Sequence, residues 1–179
     1  ILFNLLDSKL NKLYFYQKHS KMSMYQIHVK QQLPISLEEA WSFFSDPMNL
    51  NKITPDNMGF ETLSGADRKM YPGQIITYKV SPFLGLKLNW VTEITHVVQN
   101  EYFVDEQRFG PYALWHHKHF LREIPGGVEM EDIVDYKLPM GLIGDLFHPI
   151  LVKPRLNEIF AFRFQKLIEI FGTFNPNQS

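Results

Sequence analysis

Between Leu156 and Phe171 the chain sets Leu156, Ile159, Phe160, Phe164, Leu167, Ile168 and Phe171 at i, i+3, i+4, i+7 spacing. An α-helix gathers such positions on one face, and a strand scatters them. A helix with one Phe-rich stripe is marginal alone in water and needs a broad apolar partner. Pro149 and Pro154 interrupt the approach, so a lead-in from Leu142 is kinked or separate, and Gly172 supplies a C′ position.

Segments upstream can supply that partner. Phe60–Leu63, Gln74–Val80, Leu86–Val97, Tyr102–Phe109, Ala113–Ile124 and Val128–Leu138 carry alternation or β-rich composition. "MYPG", "SPFLG", "QNE", "FGPY" and "PGG" separate them as turns. Short, regular connections predict an antiparallel meander rather than parallel βαβ units. Ahead of the meander, Tyr25, Ile27, Val29 and Gln31 alternate with Gln26, His28, Lys30 and Gln32, which reads as a first strand ended by Pro34. Ser36 and Glu39 form a capping box for a helix with an apolar face of Leu37, Ala40, Trp41 and Phe44. Asp46-Pro47 starts a second, shorter helix through about Ile53. The order is α+β: strand, two short helices, about six strands, one long helix.

Bulk composition narrows the function. With 179 residues the chain holds one sizeable core, assigned to residues 24–172, with 173–179 as a tail. Residues 1–23 are expected to be a poorly ordered or short-helix extension, since Leu2, Leu5, Leu6, Leu10, Leu13 and Tyr14 fall near a helical period without signal-peptide features. A net charge of −1 with dispersed basic residues argues against a nucleic-acid partner. The longest apolar run falls short of the roughly 18 residues of a membrane span. Zero cysteines exclude disulfides, thiolate zinc sites and a cysteine nucleophile, and a cytoplasmic location is the expectation.

The segment "ALWHHKHFL" at 113–121 concentrates the chemistry. Residues i and i+2 of a strand share a face, so Trp115, His117, His119 and Leu121 point one way. His116 goes with Lys118 and Arg122 to the more solvated side. If Pro125-Gly126 is the hairpin tip, Ile124 pairs with Gly127. That register sets His119 opposite Asp132, His117 opposite Val134 and Trp115 opposite Tyr136; a slip of one residue abolishes it. Asp105 and Gln107, on the face of Phe103 and Phe109, extend the polar cluster.

Three readings of the cluster stand side by side. It is a satisfied buried network that fixes the sheet, or the polar contacts of a binding pocket. In the third, His117, His119 and a carboxylate hold a metal, or His119 is a general acid or base with Asp132 fixing its tautomer. H-x-H on a strand without cysteine or HExxH context is a weak metal signal, so no metal and no cofactor is expected. Ile76, Tyr78 and Val80 share one strand face, as do Leu86, Leu88, Trp90 and Ile94 on the next. Tyr136, Phe160, Phe164 and Leu167 complete a wall able to enclose an apolar volume, or to fill it themselves.

This order of elements, with "LPISLEEAWSFFSDPMNLNKITP" at 33–55, "FVDEQRFGPYALWHHKHFL" at 103–121 and "VDYKLPMGLIG" at 134–144, resembles the helix-grip superfamily known as SRPBCC. That superfamily includes START domains, birch-pollen-allergen-type proteins and polyketide cyclases. The likeness is greatest to a small bacterial branch loosely called cyclase- or cell-division-inhibitor-like. It implies a curved antiparallel sheet of about six to seven strands wrapped around the C-terminal helix, with an apolar cavity between them. Function varies within such a container. The expectation is binding, or transport, of a hydrophobic or aromatic small molecule such as a quinone, polyketide-like ring or lipid. Its contacts would be Tyr78, Leu88, Trp90, Gln107, Trp115, His117, His119, Asp132, Tyr136, Phe160 and Phe164. Two alternatives are a cyclase- or dehydratase-like enzyme using His119 with Asp132, and a regulatory domain that partners a dehydrogenase- or epimerase-like protein.

Overall fold

Alternation along Tyr25–Leu33 becomes β2, in which every second side chain is buried, and Pro34 ends it as the missing donor requires. The computed structural model describes residues 13–15, 24–81 and 85–176. Ser36 Oγ accepts from the Glu39 amide at 3.1 Å and starts α1, Leu37–Phe44. Asp46 caps the next segment through the Met48 amide at 3.0 Å, but Pro47–Ile53 winds as a tighter 3₁₀ helix.

The sheet follows. Strands β3 (Glu61–Ser64), β4 (Gln74–Val80), β5 (Leu88–Val98), β6 (Tyr102–Phe109), β7 (Leu114–Ile124) and β8 (Gly127–Lys137) form an antiparallel meander. β2 joins its far edge beside β8, so the order is β1-β2-β8-β7-β6-β5-β4-β3. The seven strands read from the sequence are all present. The eighth, β1 (Leu13–Phe15), pairs with β2 and is strand where the extension's periodicity suggested helix; the other residues of 1–23 lie outside the described residues.

The β7–β8 register is the one the hairpin tip dictates. Ile124 pairs with Gly127, His119 with Asp132, His117 with Val134 and Trp115 with Tyr136. Gly126 takes φ +80, a conformation costly for any residue with a Cβ. A Cβ on Gly127 would stand 2.1 Å from the Leu33 carbonyl oxygen, so both glycines of the tip are required.

The C-terminal segment is helical from α2 (Leu142–Phe147) through one π turn (His148–Val152) into α3 (Lys153–Phe171). Pro149 lacks the amide an α-turn needs, and the wider turn absorbs the misfit. Leu156, Phe160, Phe164 and Leu167 are the buried stripe of α3. They pack on the β2–β8–β7 limb, where Ile27, Val134 and Tyr136 meet Leu156 and Phe160, and Leu33, Leu121 and Met130 meet Leu167. Ile76, Tyr78, Val80 and Ile94 on the β4–β5 limb form a separate cluster that reaches Phe60 and Met70 instead. Two bulges in the β5–β6 ladder, one on each strand, bend the sheet between these limbs. The space between them is where a cavity opens.

One expected wall position, Leu86, and one residue placed on the inner face, Phe109, turn out otherwise. Leu86 precedes β5 and is 62% exposed, and Phe109, beyond the Val91/Thr92 bulge, is 72% exposed. The bulge inserts an extra residue in β6 and breaks the alternation on which the Phe109 assignment rested, whereas Leu86 lies outside the strand. Among the described residues no helix is long and apolar enough to cross a membrane.

Candidate functional site

The cavity has a volume of about 170 Å³ and lies between α3, the 3₁₀ segment and the inner face of β4 to β8. Its apolar part begins at an aromatic corner. Trp90 stands edge-on to Trp115 at 5.4 Å and to Tyr112 at 5.7 Å, and Tyr112 lies 4.8 Å from Trp115. These spacings are ordinary for attractive ring pairs, so the corner is a rigid wall. Tyr78, Phe60 and Ile94 close one side, while Leu156, Ile159 and Phe160 of α3 close another.

Strand alternation then delivers a polar end. His117 and His119 project inward from β7, Asp105 from β6 and Asp132 from β8, all on the cavity surface. The two imidazoles overlap, with centroids 3.7 Å apart, and a carboxylate stands at each end of the pair. At one end Asp105 Oδ2 is 2.9 Å from His119 Nε2 and 3.6 Å from His117 Nδ1. At the other, Asp132 Oδ1 is 2.8 Å from His119 Nδ1 and 3.4 Å from His117 Nε2. Arg163, from α3, brings its guanidinium to 3.7 Å from Asp132 Oδ2 and over the Phe160 ring.

Charge follows from this geometry. His119 has a carboxylate at each nitrogen, and only an imidazolium carries a proton on both. Burial works against that charged form, but the field of Asp132 and the hydrogen bond to Asp105 outweigh it and hold the His119 pKa above its ordinary value. His117 goes the other way, pushed down by burial and then by the neighbouring His119 charge. For Asp132, burial is overcome by the His119 charge and by contacts with both imidazoles, which keeps its carboxyl well below the usual range. Asp105 is lowered for the same reason, burial being outweighed by the His119 hydrogen bond and the cationic neighbours. The cluster balances in charge, yet neither Asp132 oxygen nor His117 Nε2 has a well-directed hydrogen-bond partner.

Of the residues expected to contact a ligand, Tyr78, Trp90, Trp115, His117, His119, Asp132 and Phe160 line the cavity. Leu88, Gln107, Tyr136 and Phe164 do not. Leu88 packs into the β4–β5 cluster beside the cavity. Gln107 spends its amide on the β6–β7 turn, donating to the Tyr112 carbonyl at 2.7 Å and accepting from the Tyr112 amide at 3.2 Å. Tyr136 is fully buried behind the wall, with its hydroxyl 2.9 Å from His148 Nε2. Phe164 is buried beyond the cavity, where its carbonyl accepts from Gln31 Nε2 at 3.0 Å.

Several lining residues lie outside the set expected from sequence, Arg163 and Tyr112 among them. Arg163 falls within the inner stripe, three residues after Phe160 and four before Leu167, and a lone cation at such a position is a signal. Tyr112 was absorbed into the "FGPY" turn, whose composition hides an inward ring.

No family model matches the chain, and no curated protein matches its sequence. Solved structures do resemble it. A protein from Chromobacterium violaceum aligns with a TM-score of 0.63 at 16% identity, over 83% of this chain and 99% of that one. One from Arthrobacter aurescens gives 0.62 at 12% identity, over 80% and 86%. Ara h 8.0201 gives 0.57 at 12% identity, over 82% and 99%. Likeness at such identities shows the fold alone, and that fold is the helix grip.

Proposed function

We propose that the protein binds a small, largely apolar ring molecule with one oxygen-bearing end. The observation that carries this reading is the mixed lining of the cavity: the aromatic corner of Trp90, Tyr112 and Trp115, and with it the inward Asp105, His117, His119 and Asp132 of β6, β7 and β8. Buried polar groups cost free energy unless they are paired, and a ligand oxygen beside His117 Nε2 and Asp132 would supply pairing the sheet leaves unmade. Size selects among the ligand classes. An apolar cavity of roughly 150 Å³ holds benzene, so about 170 Å³ suits a one- or two-ring phenol or quinone better than a diacyl lipid.

The acid–base alternative has less support. A general base needs a free lone pair within reach of its substrate, and each nitrogen of His119 already faces a carboxylate. The cavity is tested by thermal shift and calorimetry with naphthoquinone, naphthol and dodecanoate. The first two should stabilise the protein in proportion to ligand concentration. Thr92→Phe, which places a ring into the cavity from a buried position on β5, should remove that stabilisation. No shift with any probe, together with a native mass equal to the bare chain, would end the binding reading.

A further inference from the structure

The geometry points to a divalent transition-metal site made by Asp105 Oδ2, His117 Nδ1 and His119 Nε2, open on its remaining side to the cavity. These three atoms lie within 4.8 Å of one another, and the three side chains reach the cavity surface together. Donors bound about 2.0–2.1 Å from one ion stand about 2.9–3.6 Å apart for angles of about 90–120°. Asp105 Oδ2 lies 2.9 Å from the His119 donor and 3.6 Å from the His117 donor, inside that range.

The far side of the imidazole pair carries the second observation. A ligating histidine commonly donates its other N–H to a carboxylate, which fixes the tautomer and the ring. Here one carboxylate serves both rings: His119 Nδ1 and His117 Nε2 converge on Asp132 Oδ1 at 2.8 Å and 3.4 Å. Asp132 is 1% exposed, and the orphaned atoms of the cluster, His117 Nε2 and both Asp132 oxygens, are the ones that such a role employs. The end of the pair that takes the ion is also decided. Asp132 is already paired with Arg163, whereas Asp105 is the more open carboxylate, at 18% against 1% side-chain exposure. Two imidazoles and one carboxylate, without thiolate, suit zinc or ferrous iron with positions left for an oxygen donor. The ion takes the place of the His119 Nε2 proton, which leaves to solvent, so binding weakens as pH falls.

The test uses the full chain, dialysed against chelator and titrated with cobalt(II), zinc(II) and iron(II). One ion should bind per chain, and cobalt should give the visible absorption of a four- or five-coordinate nitrogen–oxygen site. Asp105→Asn and His117→Gln should each abolish the cobalt spectrum. Asp132→Asn should weaken binding by about 10–100-fold without abolishing it. His116→Gln, on the opposite face, should leave both spectrum and affinity as they are. X-ray absorption of the zinc-loaded wild type, showing imidazole scattering from two rings, reads the same site without any variant that might fail to fold. Less than a tenth of an equivalent bound by the wild type, or cobalt spectra that survive Asp105→Asn in folded protein, would overturn the site. Naphthoquinone binding measured on chelator-treated protein separates the two ideas, since the cavity can hold its ring whether or not the ion binds.

Discussion

His116 and His117 are neighbours in sequence and face opposite worlds. On the outer face, His116 Nδ1 meets Glu106 at 2.9 Å, Lys118 meets Asp135 at 2.8 Å, and Arg122 meets Glu129 at 2.7 Å. Lys30 reaches both Glu129 and Glu131, and His28 pairs with Glu131, so the ladder runs laterally across β2, β8 and β7. The inner face also sets histidines against carboxylates, but there the charges converge on two aspartates in the wall of the cavity. Outside, each pair replaces good hydration by modest attraction. Inside, each charge has lost its water and depends on its partners. Acid–base pairing thus lies against solvent on one side and in the buried cluster on the other, and the pleat assigns the strand residues to their faces.

The widest separation between the faces should appear at Asp132 and Asp135, three residues apart on β8. Asp132→Ala leaves the His119 imidazolium and the Arg163 guanidinium without their buried counter-charge, and should destabilise the fold by about 3–5 kcal/mol. Asp135→Ala removes an outer partner of Lys118 and Gln26 and should cost about 1 kcal/mol or less. Urea denaturation of the two variants measures the difference. Losses of similar size would mean that the inner cluster is as well hydrated as the outer ladder.

A middle-sized effect tests how the aromatic corner is held. Gln107 clamps Tyr112 through both backbone groups, and Gly110 leaves the room this needs, since a Cβ there would stand 2.3 Å from the glutamine oxygen. Gln107→Ala should lose about 1–3 kcal/mol and loosen the Tyr112 ring, which weakens naphthoquinone binding. Unchanged binding at reduced stability would confine the clamp to a folding role.

Much of this was legible in the sequence because the relevant periods are short and local. A hairpin tip of Pro125-Gly126 sets one register, and that register alone puts His119 across from Asp132. The long helix was equally plain. What the sequence hid depends on longer range. The Val91/Thr92 bulge turns Phe109 outward, and no alternation rule announces a bulge. His119 meets Asp105 as well as Asp132, a contact that requires the β6–β7 pairing and not just the β7–β8 hairpin. Arg163 arrives from a helix, and a pattern search for apolar positions passes over it. Tyr136 and Phe164 lie on the inner side as expected, but which inward residues reach a cavity depends on depth, and alternation carries no depth.

The smallest effect belongs to the outer ladder and fixes its baseline. Glu129 sits between Arg122 and Lys30, and although burial pushes its carboxyl pKa up, the hydrogen bond from Arg122 and the charge of Lys30 bring it below the ordinary value. Such a group binds protons less readily folded than unfolded, so its contribution is present above the unfolded carboxylate pKa and disappears as pH falls through the lower, folded one. Solvent screens both partners, and Arg122 has 70% side-chain exposure, so the whole contribution should stay below about 1 kcal/mol and shrink further in molar salt. Glu129→Gln should therefore lower stability slightly at neutral pH and low salt, and the difference from wild type should begin to shrink near the unfolded glutamate pKa of about 4.3 and vanish below the lower folded one. Denaturation curves at several pH values and two salt concentrations measure it. A Glu129→Gln loss of several kcal/mol that persists in salt would place this outer pair in the same class as the buried cluster, and the contrast between the faces would then be one of geometry rather than of hydration.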